Sequence, residues 1–122
     1  MLRTVLVIDD DPDILTVAEL SLRTIGKLEV VTAQDGLAGL AAAEAHRPDA
    51  ILLDATMPGL DGLHVLSRLR GNPATAGIPV VFLTARTEPE TVAALRAAGA
   101  AGVLEKPFDL FQLPSKLRGL VE

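Results

Sequence analysis

Short solid apolar runs alternate along this chain with longer segments whose apolar positions recur every three or four residues. Val5-Leu6-Val7-Ile8 is apolar without alternation, the mark of a strand buried on both faces. It runs straight into Asp9-Asp10-Asp11-Pro12. Asp11 before Pro12 reads as a helix N-cap with proline at the first helical position, where its missing N–H costs nothing. Ile14, Leu15, Ala18, Leu22 and Ile25 then share one helix face, and Gly26 ends it. Residues 28–33 predict a second strand. Asp35-Gly36 is a turn or cap, and Leu37, Leu40, Ala41 and Ala45 predict a second apolar helix face, stopped at Arg47-Pro48. Ala50-Ile51-Leu52-Leu53 is a third strand ending at Asp54. After the loop Thr56-Met57-Pro58-Gly59-Leu60, Asp61 caps a third helix with Leu63, Leu66 and Leu69 inward. Residues 71–77 are a polar connection and no domain boundary. Residues 78–83 predict a fourth strand that ends at Thr84, and residues 90–98 a fourth helix stopped by Gly99. Gly102-Val103-Leu104 is a short fifth strand just before Lys106-Pro107. Asp109 caps a last helix with Leu113, Leu117 and Leu120 inward. Pro114 cannot donate to Leu110, so that helix should start late or kink.

Five strands alternating with five helices imply a parallel sheet covered on both faces, with right-handed crossovers. The fold class expected is α/β, a flavodoxin-like doubly wound arrangement with strand order 2-1-3-4-5. Ligands bind such sheets at the carboxyl ends of the strands, near the topological switch point. Those ends carry Asp9 and Asp10, Asp54, Thr84 and Lys106. Strands one and three are neighbours in this order, about 4.8 Å apart, so Asp54 faces the acidic pair and Thr84 stands beside it. The fifth strand lies roughly 10 Å from the third, and only a side chain as long as Lys106 can reach back.

Composition narrows the classes. At 122 residues, 49% hydrophobic and 22% charged, the chain reads as a single globular domain, 1–122. The absence of cysteine excludes disulfides, thiolate chemistry and cysteine-bound zinc. Net charge is −5 and the eleven basic residues are scattered, which argues against direct binding to nucleic acid or membrane. The N-terminal apolar run is too short for a signal peptide and no stretch reaches membrane-spanning length, so the cytoplasm is the expected compartment. Without Trp or Tyr the core must be aliphatic, Phe82, Phe108 and Phe111 being the chain's only aromatic rings apart from histidine. His46 and His64 fall in helical segments with no spaced carboxylate partner and read as surface residues.

Adjacent carboxylates repel; at an effective dielectric of ~20, two charges ~4 Å apart cost about 4 kcal/mol. A divalent metal would offset this, and hard oxygen ligands suit Mg²⁺. Taken alone, the three acids fit a solvated turn just as well. Together with Asp54, Thr84 and Lys106 they fit a specific chemistry. A carboxylate can attack a phosphoryl group and form an aspartyl phosphate. That requires a metal to neutralise the acids and the incoming oxygens, a cation such as Lys106 for a remaining oxygen, and a hydroxyl such as Thr84 to sense it. Asp54 is the best nucleophile, alone on the central strand opposite the acidic pair, and the small Ala85 keeps its approach open.

Asp9-Asp10, Asp54 followed by Met57-Pro58-Gly59-Leu60-Asp61-Gly62, Thr84-Ala85 and Lys106-Pro107-Phe108 together resemble the receiver domain of bacterial two-component response regulators. The resemblance covers the whole chain, in order and with family spacing. It implies that Asp54 takes phosphate from a histidine of a sensor kinase or a histidine phosphotransfer protein. It implies Mg²⁺ bound by Asp10, Asp54 and the backbone carbonyl of Thr56, with Asp9 holding a metal water. A cis bond before Pro107, aiming Lys106 inward, is also implied. So is a switch whose only chemistry is its own phosphorylation and dephosphorylation, read out by a downstream protein partner or a covalently linked output domain.

Two departures stand out. The family often has Tyr or Phe three residues before the lysine, where this chain has Val103, which cannot swing between rotamers as a ring does. Thr56 and Arg86 occupy positions that tune phosphate lifetime in the family. Three other functions compete. A small Mg²⁺-dependent phosphohydrolase would use Asp9 of the Asp-x-Asp in Asp9-Asp10-Asp11 as its nucleophile. But Asp13 stands where that class has Thr or Val, and no late acidic pair is present. A nucleotide-binding module lacks its glycine motifs. An interaction domain that is never phosphorylated would not need the complete set Asp9, Asp10, Asp54, Thr84 and Lys106.

Overall fold

The computed structural model of the chain describes residues 2–122; Met1 lies outside them. The described residues form strands β1 (Thr4–Ile8), β2 (Glu29–Ala33), β3 (Ala50–Asp54), β4 (Val80–Thr84) and β5 (Gly102–Glu105). Between them lie helices α1 (Pro12–Leu20), α2 (Gly36–His46), α3 (Gly62–Gly71) and α4 (Pro89–Ala97), with α5 (Leu113–Val121) last. The sheet is parallel throughout, in the expected order β2-β1-β3-β4-β5.

The solid apolar runs are explained by two cores, one on each face of the sheet. Val5, Val7, Leu52, Val81 and Leu83 pack with Leu15, Ala18 and Leu22 of the first helical segment and Leu113 and Leu117 of α5. Leu6, Ile8, Ile51, Leu53 and Phe82 pack with Ala43 of α2, Val65, Leu66 and Leu69 of α3, and Leu95 of α4. Each fully buried Val, Leu, Ile or Phe contributes about 1.5–3 kcal/mol, so the central strands carry most of the fold's stability. Caps fall where the sequence puts them. Asp11 accepts from the Asp13 N–H, Asp35 from the Ala38 N–H and Asp61 from the His64 N–H.

Several expectations need correction. Ile25 is exposed, because the helix after Leu20 widens into a π turn, Ser21–Ile25, which adds a residue and rotates the face away from the core. In α2 the inward face is Gly36, Gly39 and Ala43, with Leu40 half-buried; Leu37, Ala41 and Ala45 are exposed. The contact is made by the absence of a side chain. A Cβ on Gly39 would lie 2.5 Å from the Ile8 Cδ1. Leu63 is exposed and Val65 takes its place in the core. His64 does have a carboxylate partner, with its Nδ1 2.9 Å from Asp61 Oδ1, though both stay at the surface. Asp109 caps only a preliminary turn. α5 itself starts at Leu113 with Pro114 next, the late start that the missing N–H requires. The fourth strand starts at Val80, two residues later than expected.

The Gly39 contact makes a testable claim. Gly39→Ala should destabilise the chain by about 1–3 kcal/mol in urea unfolding, since Ile8 is fully buried and has nowhere to move. Gly119→Ala in α5, where a Cβ would meet nothing within 4 Å, should instead stabilise it by about 0.5–1 kcal/mol.

Candidate functional site

The strand register gathers the five residues singled out above. Ile8 of β1 sits opposite Leu53 of β3, so Asp9 and Asp54 come side by side one step further on. Thr84 ends β4 one residue past the partner of Asp54. Lys106 follows β5 and continues its ladder, its N–H donating to the Thr84 carbonyl at 2.8 Å. The Lys106–Pro107 bond is cis. From there the side chain crosses to the sheet centre. Its Nζ lies 2.8 Å from Asp9 Oδ2 and 3.3 Å from Asp54 Oδ1. Asp9, Asp10 and Asp54 each bring a carboxylate oxygen within 4.8 Å of the others. They line an open cleft of about 460 Å³ together with Thr56, Thr84 and Lys106.

The three acids sit in different environments. Asp9 is fully buried, Asp54 almost so, and Asp10 exposed. Asp9 also has a local role that sequence reading did not give it, because its Oδ1 accepts the Asp11 N–H at 2.9 Å and closes the turn into α1. Its Oδ2 is buried and lies against the lysine, with no well-directed hydrogen bond among the described residues. Asp54 Oδ1 accepts the Thr56 N–H at 3.1 Å, and no protein donor among the described residues reaches its Oδ2. Burial pushes the Asp54 carboxyl up to about 6, against the Thr56 N–H, with the Asp9 charge adding to burial and Lys106 opposing it. For Lys106, burial alone would lower the ammonium. The close contact with Asp9 and the charges of Asp54 and Asp9 outweigh it and hold the group above its ordinary value. The lysine thus serves Asp9 first, which leaves Asp54 under-compensated.

Three carboxylates against one ammonium, with an orphaned buried oxygen on Asp9, is a donor set of hard oxygens that fits a divalent cation. The Thr84 hydroxyl is buried and accepts the Arg86 N–H at 2.9 Å, which leaves its proton to donate. One residue was missed as a contributor. A Cβ on Gly62 would lie 2.7 Å from the Asp54 carbonyl oxygen and 2.8 Å from Phe82 Cε1, so only glycine lets α3 seat against the end of β3. The Asp61-Gly62 pair in the loop motif was its signal.

A doubly wound sheet with such an acidic cleft at its switch point defines a class of α/β domain built to hold a polar ligand at the carboxyl edge. Within that class the chain belongs to the response regulator receiver domain family of two-component systems, whose model matches residues 5–118. The transcriptional regulatory protein PrrA of Mycobacterium tuberculosis is 44% identical over 117 residues, 96% of this chain and 49% of PrrA. TcrX of the same organism, described as a probable transcriptional regulatory protein, is 40% identical over 97% of this chain and 49% of its own length. The chain spans about half the length of the curated relatives it matches. Among solved structures, the chemotaxis protein CheY4 of Vibrio cholerae superposes with a TM-score of 0.91 at 32% identity, covering 98% of this chain and 99% of that one.

Two outcomes follow from the charge arrangement. With its folded value raised above the ordinary 3.8, Asp54 contributes stability that is fully present below pH ~4 and lost as pH rises through 6. Asp54→Asn removes that loss. In chelator-treated buffer its stability relative to the parent should therefore rise between pH 4 and pH 7, by about 1–3 kcal/mol in urea titrations. Lys106→Met leaves Asp9 and Asp54 facing each other without a cation. It should cost about 3 kcal/mol or more at pH 7 by the same measurement, and less at pH 5, where Asp54 takes up a proton.

Proposed function

We propose that the chain is a phosphoacceptor switch, one receiver unit over residues 1–122, in which Asp54 accepts a phosphoryl group and Thr84 and Lys106 respond to it. The observation that carries this reading is the Lys106 ammonium held between Asp9 and Asp54, beside an Asp54 oxygen that no donor among the described residues takes. Above pH 6 that oxygen is ionised and ready to attack. The donor is a phosphohistidine of a sensor kinase or a phosphotransfer protein. The new P–O bond forms on Asp54 as the donor's P–N bond breaks, and the electron pair returns to the imidazole, which regains a proton from water. Lys106, already within reach of Asp54, then pairs with a phosphoryl oxygen as a point charge. The Thr84 hydroxyl, one strand over, donates to another. Return to the resting state is attack of water at phosphorus, which restores the carboxylate. Asp9, Asp10, Asp54 and the Thr56 carbonyl would hold Mg²⁺, which when bound supplies neutralising charge to the carboxylates and the transferred group.

The chain on this reading turns over no external substrate beyond its own phosphorylation and dephosphorylation. It works in the cytoplasm, consistent with the lack, among the described residues, of any helix long and apolar enough to cross a membrane. Its output is a downstream protein partner or a linked domain. The phosphohydrolase alternative would need Asp9 as nucleophile. Asp9 is fully buried, with one oxygen on the Asp11 N–H and the other beside Lys106 without a hydrogen bond among the described residues, and that burial disfavours attack.

Intact mass after incubation with Mg²⁺ and a small acyl phosphate tests the proposal. A single phosphoryl adduct is expected, dependent on Mg²⁺ and lost in Asp54→Ala. An adduct that survives Asp54→Ala and disappears in Asp9→Ala would instead support the hydrolase.

A further inference from the structure

The connection between β5 and α5 carries Lys106, and little regular structure holds it. Its start is fixed by the Lys106 N–H on the Thr84 carbonyl at 2.8 Å. Further on, Asp109 closes a turn, its side chain accepting the Phe111 N–H at 2.8 Å and its carbonyl those of Gln112 and Leu113, each at 3.0 Å. Leu110 sits inside that turn. In a continuous helix its carbonyl would accept the N–H of residue 114, but Pro114 has none. The carbonyl is taken instead by the hydroxyl of Ser21, eighty-nine residues away in sequence. Ser21 is fully buried and begins the π turn that interrupts the first helix. π turns recur where a helix must present a side chain off its regular path. The same turn grips α5 in two more places. Arg118 Nη2 donates to the Gly26 carbonyl at 2.8 Å, and the bare Cα of Gly26 lets Pro114 come so close that a Cβ there would lie 3.0 Å from it.

We propose that Ser21 is a positioning residue for Lys106: by donating to the carbonyl that Pro114 leaves without a partner, it pins the far end of the loop whose near end carries the lysine. The inference rests on the reading of Asp54 as phosphoacceptor and assigns Lys106 a support outside the residues that line the cleft. The Lys106 ammonium must be held within 2.8 Å of Asp9 and 3.3 Å of Asp54 from a backbone two strands away. With both ends of its loop pinned, that reach has one geometry. With the Ser21 pin removed, the loop pivots about the Thr84 contact and the ammonium is no longer fixed over Asp54.

The test uses two readouts and a control. Thr75 offers the control, since its buried hydroxyl donates to the Leu69 carbonyl at 2.8 Å, the same kind of bond far from the loop. With Mg²⁺ and beryllofluoride as a phosphoryl mimic, Ser21→Ala should bind the mimic about tenfold more weakly than the parent, the size of loss typical of removing a supporting partner. Thr75→Ala should bind it as the parent does. In chelated, metal-free protein, amide exchange at Lys106 and Phe111 should quicken in Ser21→Ala beyond any change shared by the other core amides, and should not in Thr75→Ala. Ser21→Thr, which restores the hydroxyl at the expense of an extra methyl, should recover both. Ser21→Ala binding the mimic as tightly as the parent, with no selective quickening at Lys106, overturns the inference. Failure of the parent itself to bind the mimic counts against the phosphoacceptor reading alone. The exchange measurement then still decides whether Ser21 holds the loop.

Discussion

One ammonium group shared by two buried carboxylates holds the functional edge of this domain together. Lys106 arrives from the outer strand β5, passes the end of β4 and ends between Asp9 of β1 and Asp54 of β3. Taking ions out of water costs several kcal/mol each, so such a cluster survives only if its members compensate one another. This makes the sheet order a chemical requirement as well as a topological one. With β1 and β3 adjacent, the two acids are neighbours. With β5 two places from β3, a lysine side chain spans the gap at full reach.

The sharing is unequal, and the inequality defines the roles. Asp9 has the shorter contact with Lys106, and its other oxygen accepts the Asp11 N–H. Asp54 has the longer contact and an oxygen without a donor among the described residues, and its burial raises it to about 6. Two carboxylates on neighbouring strands thus sit in different electrostatic surroundings, the kind of difference by which enzymes assign acid and base roles. Asp10, exposed at the rim, adds negative charge that the protein itself does not balance.

Much of this was legible in the chain before any coordinates. The strands could be read because doubly covered strands must be apolar at every position, and Val5-Leu6-Val7-Ile8 and Ala50-Ile51-Leu52-Leu53 are. The convergence of Asp9, Asp54, Thr84 and Lys106 could be read because parallel strands all end at one edge. The late start of α5 was written in Pro114. What escaped were features made by small or polar residues. Gly39 and Gly62 form contacts through what they lack, which a search for apolar side chains passes over. The π turn after Leu20 shifted Ile25 off its face, and nothing in the 3.6-residue pattern announces an inserted residue. Leu37 looked like core and is exposed because the glycines let the helix lie on its other side. The Asp9–Asp11 turn and the Thr84–Arg86 contact depend on rotamers set by the loops, which spacing alone does not fix.

Val103 bears on how a signal leaves this site. Half-buried on β5 against the core under α4, it has no ring to swing between an inward and an outward rotamer. On the proposed reading the route must then run through β4. The Thr84 hydroxyl oxygen accepts the Arg86 N–H, so any turn of that hydroxyl toward a phosphoryl group acts directly on the backbone leading to α4. Of the five α-helices that one has the fewest buried side chains, Leu95 alone. Elements with few buried apolar contacts open at the smallest free-energy cost. On that reading a small displacement at Thr84 would be passed to a helix that needs little to move, and Val103 in place of a ring would remove one part of the switch without removing the path.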